Sequence, residues 1–523
     1  MFGRRKLLTT FLGASQVALL GRFATWSSSS RAGGGLSGGP TKLLSIYVPG
    51  GLSHELMWGT FRNADVPLYV PAWDEGGFDG SHYENLDGSG QADADAPVRR
   101  LRGPVTWNWD DPAAGYPNYS SNGYVWAAPE YGLYERTAVI HGIDQGTASH
   151  PSGVVSAMCG IAGANYAAPA IPAVVANHFM AAFPDRALPS VVIGGGPKAP
   201  AMNLAAGANP TKLTSTDDLL YTLSDEHGAW EGFRSRTDVP DVAFDGMELE
   251  GSLPLSIVDR AVLRATRAAR GRSSTHTDVF LESLHDQYKV FSRTLASDIT
   301  AVIEGQTGVE HLPQSMPWAP TETRFGWRIG VADDIVADNY YIDEFDLILR
   351  LLKSDVCTCV TKRMPTRQHL DNHSSPYLGH RNNLRGTMEA LGRLLLEMQL
   401  TPSASDPSRS LLDETQVYIF SEFGRSFMEA GRGGSGSDHH PMTSAVLVGG
   451  NIQGNRMIGG FSVDTGTSGI PVELAEEGGE SSVRPPRSQD TAATVFAAMG
   501  MTPGEDFFLP GGYGVVEHIV PNG

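Results

Sequence analysis

Apolar residues recur along the chain in two patterns. Short, dense runs at 43–48, 137–140, 190–193, 356–360, 417–420 and 445–448 are rich in Val, Ile and Leu. Most end in glycine or a polar cluster, so they read as strands buried on both faces. Residues 341–352 and 384–400 instead place apolar side chains at helical spacing, just before the runs at 356 and 417. Helix alternating with strand predicts an α/β fold: a mostly parallel sheet sandwiched by helices. Residues 253–303 look almost wholly helical, which predicts a helical insertion near 253–305. Residues 74–96 are Gly- and Asp-rich with little periodicity, which predicts an acidic loop insertion near 74–123. Within it, Asn85-Leu86-Asp87-Gly88-Ser89-Gly90 is faintly like a calcium loop. Ala96 stands where the twelfth-position Glu belongs, so a solvated acidic loop is the reading.

The N-terminus has a different grammar. Arg4-Arg5-Lys6 precedes an apolar stretch that runs through Val17-Ala18-Leu19-Leu20 and then gives way to small residues. This pattern predicts an export signal of twin-arginine type over 1–31 and a periplasmic or extracellular location. A basic cap on an amphipathic helix is the alternative. The stretch is too short and interrupted for a membrane span. Residues 32–40, Gly- and Ser-rich, read as a flexible linker. The remainder, 41–523, reads as a single α/β domain.

Composition narrows the function. The 523 residues carry 39 Lys+Arg against 58 Asp+Glu, a net charge of −19. Without 1–31 the chain has 34 Lys/Arg against 58 acids, a net of −24. This balance argues against a nucleic-acid or anionic-membrane binder. Cys159, Cys357 and Cys359 are the only cysteines, too few for a disulfide framework or a four-thiolate zinc site, and they read as small core residues.

Chemistry is expected beyond the carboxyl ends of the strands, where open parallel sheets bind ligands. There stand Ser53, His54 and Glu55; His141, Asp144, Ser149, His150 and Ser152; His369, Asp371, His373 and His380; and Ser421, Glu422, Arg425, Asp438, His439 and His440. Eight of the 15 histidines fall in these windows. Imidazole and carboxylate together suit a divalent ion. Asp371 and His373 point the same way if their segment is extended; a polar turn is the alternative. At least one of His439 and His440 is read as a ligand. Glu422 is either a ligand or the partner of Arg425. His150 is a ligand, the orienter of a hydroxyl, or part of a helix start capped by Ser152. Asp333-Asp334 and the pair Glu344/Asp346 read as solvated helix faces.

Taken in order, these stretches resemble an exported bacterial family of unknown function, DUF1501, placed with the alkaline phosphatase/sulfatase-like superfamily. Val48-Pro49-Gly50-Gly51-Leu52-Ser53-His54 resembles its opening strand. Gln145-Gly146-Thr147-Ala148-Ser149-His150-Pro151-Ser152-Gly153 resembles its His- and Ser-bearing segment. Leu370-Asp371-Asn372-His373, Ser421-Glu422-Phe423-Gly424-Arg425 and Ser437-Asp438-His439-His440 resemble its later signatures, and Gln489-Asp490-Thr491-Ala492-Ala493-Thr494 its closing helix. The resemblance implies an alkaline phosphatase-like sheet and a divalent metal centre (zinc, manganese or calcium) drawn from Asp371, His373, Glu422, Asp438, His439 and His54. Where the superfamily has Asp-His-Gly, this chain has Glu422, Phe423 and Gly424. Gly50-Gly51 replace an early Asp, leaving His54 or Glu55 to substitute. The implied function is a metal-dependent hydrolase of phosphate or sulfate esters. Ser149 or Ser152 would be nucleophile beside His150, and Arg425 would pair with the small anionic substrate. The alternative is a non-catalytic binding or scaffolding protein with a degenerate site.

Overall fold

The apolar runs become strands of one sheet. A computed structural model describes residues 39–52, 97–101, 126, 131–161, 168–183, 186, 188–194, 204, 208, 210–213, 340–364, 370–371, 373, 377–425, 438–460, 469–476 and 479–521. The expected export signal, nearly all of the linker, most of the 74–123 insertion, the 253–305 insertion, Ser53, His54, Glu55, His369, Asp333 and Asp334 lie outside these residues. Among the described residues no helix is long and apolar enough to cross a membrane.

The strands are β1 (Lys42–Tyr47), β2 (Val98–Arg99), β3 (Thr137–Asp144), β4 (Ser190–Ile193), β5 (Thr211–Leu213), β6 (Cys359–Arg363), β7 (Thr415–Phe420), β8 (Gly424–Arg425), β9 (His439–His440), β10 (Met442–Gly449), β11 (Arg456–Gly459), β12 (Val472–Glu476), β13 (Ser481–Arg484) and β14 (Gly514–Val516). The helices are α1 (His150–Cys159), α2 (Ile171–Phe179), α3 (Tyr340–Lys353), α4 (Tyr377–Leu400), α5 (Leu411–Glu414) and α6 (Ser488–Ala498). Nine strands form a mixed sheet in the order β2-β11-β3-β10-β7-β1-β6-β4-β5. β1 pairs in parallel with β6 and β7, and β4 with β5 and β6, while β10 runs antiparallel to both β3 and β7. A smaller sheet of β13, β12 and β14 stands apart.

Both faces of the large sheet are covered, so the fold is α/β. Along β1 the side chains alternate: Leu44 and Ile46 join a core with Leu347, Leu351, Leu391 and Leu395 of α3 and α4. Leu43 and Tyr47 join a second core with Val155, Val175, Ala492 and Phe496 of α1, α2 and α6. This is why the strand runs lack a polar alternation. The three cysteines are free and buried in these cores, with burial pushing the Cys159 and Cys357 thiols up to about 12.

Three expectations are corrected. β6 starts at Cys359, not at 356, leaving Cys357 ahead of the strand. Glu344 does not lie on a solvated face: it is buried and bonded to Lys362, whereas Asp346 pairs with Arg350 one helical turn on. β3 does not end at 140 but continues to Asp144, so His141 is an interior strand residue. Its Nδ1 lies 2.6 Å from Ser444 Oγ on β10. Burial, with the charge of Arg99 second, pulls the imidazole down to about 3.

That depression has a sign for stability. The unfolded imidazole takes a proton near 6.5, the folded one only near 3, so the unfolded state binds more protons between these values and stability falls as pH falls through them. Between pH 7 and pH 5 the His141 share is about 2 kcal/mol. Urea unfolding at the two pH values should therefore show His141→Asn losing about 2 kcal/mol less than wild type on acidification. Equal losses would contradict the burial argument.

Candidate metal centre

The carboxyl ends of β3, β1, β6 and β7 open on one edge of the sheet, and β10, running against them, brings its N-terminal end to the same edge. Each strand delivers one piece of a polar cluster. After β3, Asp144 turns the chain by accepting from the Gly146 N–H, and Ser149 takes the N-cap of α1 with extended backbone. His150 is thereby the first residue of α1, ahead of Pro151, which has no N–H to leave unpaired. Beyond β6 stand Asp371 and His373. After β7 come Ser421 and Glu422. β8 and β9 pair as a short antiparallel ribbon that sets Arg425 opposite His439.

Four of these side chains converge. His150 Nε2 lies 3.1 Å from Asp371 Oδ2, and His439 Nε2 lies 3.0 Å from Asp371 Oδ1. His373 Nε2 lies 3.2 Å from Asp371 Oδ1 and 3.0 Å from His439 Nε2. His150, Asp371 and His439 each offer one ligand atom within 4.8 Å of the other two.

The outward ring nitrogens settle what these contacts are. His150 Nδ1 meets Glu422 Oε1 at 2.8 Å, His439 Nδ1 meets the Ala148 carbonyl at 3.0 Å, and His373 Nδ1 meets Asp438 Oδ1 at 3.1 Å. Carbonyl and carboxylate oxygens only accept, so each Nδ1 must carry the hydrogen. A neutral ring protonated at Nδ1 has a bare lone pair at Nε2. Three such lone pairs then face the Asp371 carboxylate, and two of them face each other. Acceptors packed against acceptors require positive charge between them, from added protons or a cation. The spacing suits a cation: two atoms about 2.1 Å from a shared ion lie about 3.0 Å apart at an octahedral angle and about 3.4 Å apart at a tetrahedral one.

Asp371 is held ready for that role. Burial alone would raise its carboxyl, but the bond and charge of Arg425 hold it well below the usual carboxylate range. Arg425 is buried; its Nε and Nη2 donate to the Gly50 carbonyl and its Nη2 also to the Leu370 carbonyl and Asp371 Oδ1. Glu422 is fully buried; Oε1 accepts from the Gly50 N–H at 2.9 Å and Oε2 from Ser421 Oγ at 2.8 Å. Burial first, then the charge of Glu422 and a hydrogen bond to it, keep the Tyr47 phenol well above its ordinary value. Phe423 walls the cluster, its ring 3.9 Å from that of His439 and 4.7 Å from that of His150.

No curated protein matches the chain. One family does. Residues 357–512 match DUF1501, described as a protein of unknown function. The DUF1501 match takes in Asp371, His373, Glu422, Arg425, Asp438 and His439 and leaves out Gly50 and His150.

The structure thus brings together Asp371, His373 and His439, and adds His150 to them. Glu422 and Asp438 sit behind histidines, on the Nδ1 side, rather than among the inward atoms. Of the Asp-His-His run, His439 faces the cluster, while His440 Nδ1 accepts from the Met442 N–H. Arg425 does not pair with Glu422. Its guanidinium is bonded to backbone and to Asp371, beneath the cluster. Ser149, not Ser152, is the N-cap; it is exposed and its hydroxyl makes no capping bond, while Ser152 is part-buried in the first turn. Neither serine is the partner of His150, whose two nitrogens meet Glu422 and Asp371. The Ala148 carbonyl was beyond sequence reasoning, since any residue carries one.

Gly50 is where the pieces interlock. Its φ is +103°, and a Cβ there would stand 2.4 Å from the Asp371 nitrogen. Gly50→Ala is expected to lower stability by about 1–3 kcal/mol from the backbone strain alone. Thermal melting should show that loss together with weaker divalent-cation binding in titrations; an unchanged melting temperature and affinity would contradict the interlock.

Proposed function

We propose that this chain is a metal-dependent hydrolase-like protein in which His150, Asp371, His373 and His439 hold one divalent cation. The observation that carries this reading is the set of three Nε2 lone pairs turned onto the Asp371 carboxylate. The donor set, imidazole with one carboxylate, favours zinc or manganese over calcium, which prefers oxygen. Bound there, a cation supplies Lewis acidity toward an ester oxygen. The chain's own residues do the rest. Glu422, Ala148 and Asp438 hold the rings in one tautomer. Ser149 lies between Ala148 and His150, exposed at the positive end of α1, where an anionic phosphate or sulfate ester would meet its hydroxyl. His150 is not a base for either serine, because both its ring nitrogens are committed. The resemblance to DUF1501 extends this proposal to an alkaline phosphatase-like sheet and an exported protein whose N-terminal pattern is removed on export.

One observation favours a second reading, an exported binding or scaffolding protein. The Arg425 guanidinium expected to pair with an anionic ester is bonded to Gly50, Leu370 and Asp371 instead.

Elemental analysis of protein purified without chelator decides between them first. On the order of one zinc or manganese per chain is expected in wild type, and its loss in Asp371→Ala/His439→Ala. Hydrolysis of a phosphate or sulfate ester should then appear in wild type and vanish in the double variant. Metal without turnover would favour the binding protein; no metal in either protein, both folded, would overturn the proposed centre.

A further inference from the structure

We propose that Glu422 and Arg425 are positioning residues, a two-armed clamp on Gly50 that fixes His150 and Asp371, and that neither touches the cation or the substrate. The inference rests on the cation centre proposed above and assigns how it is held. Glu422 Oε1 accepts from the Gly50 N–H and from His150 Nδ1 through the same oxygen, at 2.9 and 2.8 Å. Arg425 donates through Nε to the Gly50 carbonyl at 2.8 Å, and through Nη2 to the Leu370 carbonyl at 3.0 Å and to Asp371 Oδ1. One residue, Gly50, is therefore gripped at its N–H by the anion and at its carbonyl by the cation, and each gripping side chain reaches one inward group.

Three observations separate this from ligation or substrate pairing. Glu422 meets His150 at Nδ1, the ring atom facing away from the cluster, so its carboxylate lies behind the imidazole. Its second oxygen is held by Ser421 Oγ. Both side chains are buried, whereas the cluster itself is partly exposed: Asp371 is 38% and His373 48% accessible. The two charges face one another across Gly50 without pairing directly. Ser421 completes the frame by accepting from the Gly51 N–H at 3.1 Å. The segment 421–425 thus acts as one rigid piece: shifting it rotates His150 and drags Asp371. Loss of such outward partners lowers metal affinity by about 10–100-fold without changing the ligands.

The test compares the full-length chain with Glu422→Gln, Glu422→Ala and Arg425→Lys, using cobalt(II) as the probe. Affinity is read by competition with a chromophoric chelator, the ligand set by the cobalt electronic spectrum, and the His150 tautomer by nitrogen-15 NMR of the cation-free protein. Glu422→Ala should bind cobalt about 10–100-fold more weakly with an unchanged spectrum, and His150 should lose its single Nδ1–H tautomer. Glu422→Gln keeps an accepting oxygen, so it should keep the tautomer and lose less than about tenfold. Arg425→Lys keeps the charge but not the fork, so its affinity should fall about tenfold. A changed spectrum or abolished binding in Glu422→Gln would make Glu422 a ligand and overturn the clamp. Unchanged cobalt affinity in Arg425→Lys, with weaker inhibition by inorganic phosphate, would make Arg425 a substrate group and overturn it equally. If wild type binds no cobalt, the centre fails, and the tautomer still judges the clamp: an unchanged His150 signal in Glu422→Ala overturns it.

Discussion

Three imidazole lone pairs cannot rest against a carboxylate unless positive charge lies among them. That constraint governs the carboxyl edge of this fold. It arises not at the inward atoms but on the far side of each ring. Glu422, the Ala148 carbonyl and Asp438 each demand a hydrogen at Nδ1, and the inward nitrogens are left bare as a consequence. The outer partners differ in burial. Glu422 sits in the core, whereas the Asp438 side chain is 80% exposed. His150 is therefore anchored to the sheet, and His373 is held from the solvent side.

The sheet exists to bring these partners from distant parts of the chain. His150 reaches Glu422 across 272 residues, and Asp371 lies 221 residues from His150. Parallel neighbours open their loops on one edge, and the antiparallel β10 contributes from its N-terminal side, so that β9 arrives where β1, β3, β6 and β7 end. Crowding at that edge explains its glycines as directly as any turn. A Cβ on Gly424 would lie 1.8 Å from the Met442 carbonyl oxygen, and one on Gly153 2.0 Å from the Glu422 carbonyl oxygen. The Glu-Phe-Gly-Arg stretch is a close-packed frame in which the glycine is required by β10 and the start of α1 by the frame itself.

Much of the fold is legible in the sequence because strands buried on both faces have little choice of residues. The runs at 43–48, 190–193 and 417–420 became β1, β4 and β7 nearly as read, and the helical spacing at 341–352 became α3. The reversed direction of β10 was not legible, since an apolar run carries no arrow. His141 was misplaced because a polar residue after an apolar run looks like a strand end, and only the Ser444 hydroxyl on the neighbouring strand makes it a core residue. The site was legible as a set of residues but not as a set of roles. Asp371, His373 and His439 stood out by type and spacing. Whether Glu422 stands before or behind an imidazole, and whether Arg425 faces substrate or backbone, depends on Gly50, more than 370 residues away along the chain.

The most direct test is anomalous diffraction from a crystal of the wild-type protein soaked in zinc, recorded on both sides of the zinc absorption edge. The account predicts one strong peak bonded to Asp371 and to Nε2 of His150, His373 and His439, with Glu422 outside bonding distance and still joined to His150 Nδ1. A peak bonded to Glu422, or no peak among these four residues, would contradict it.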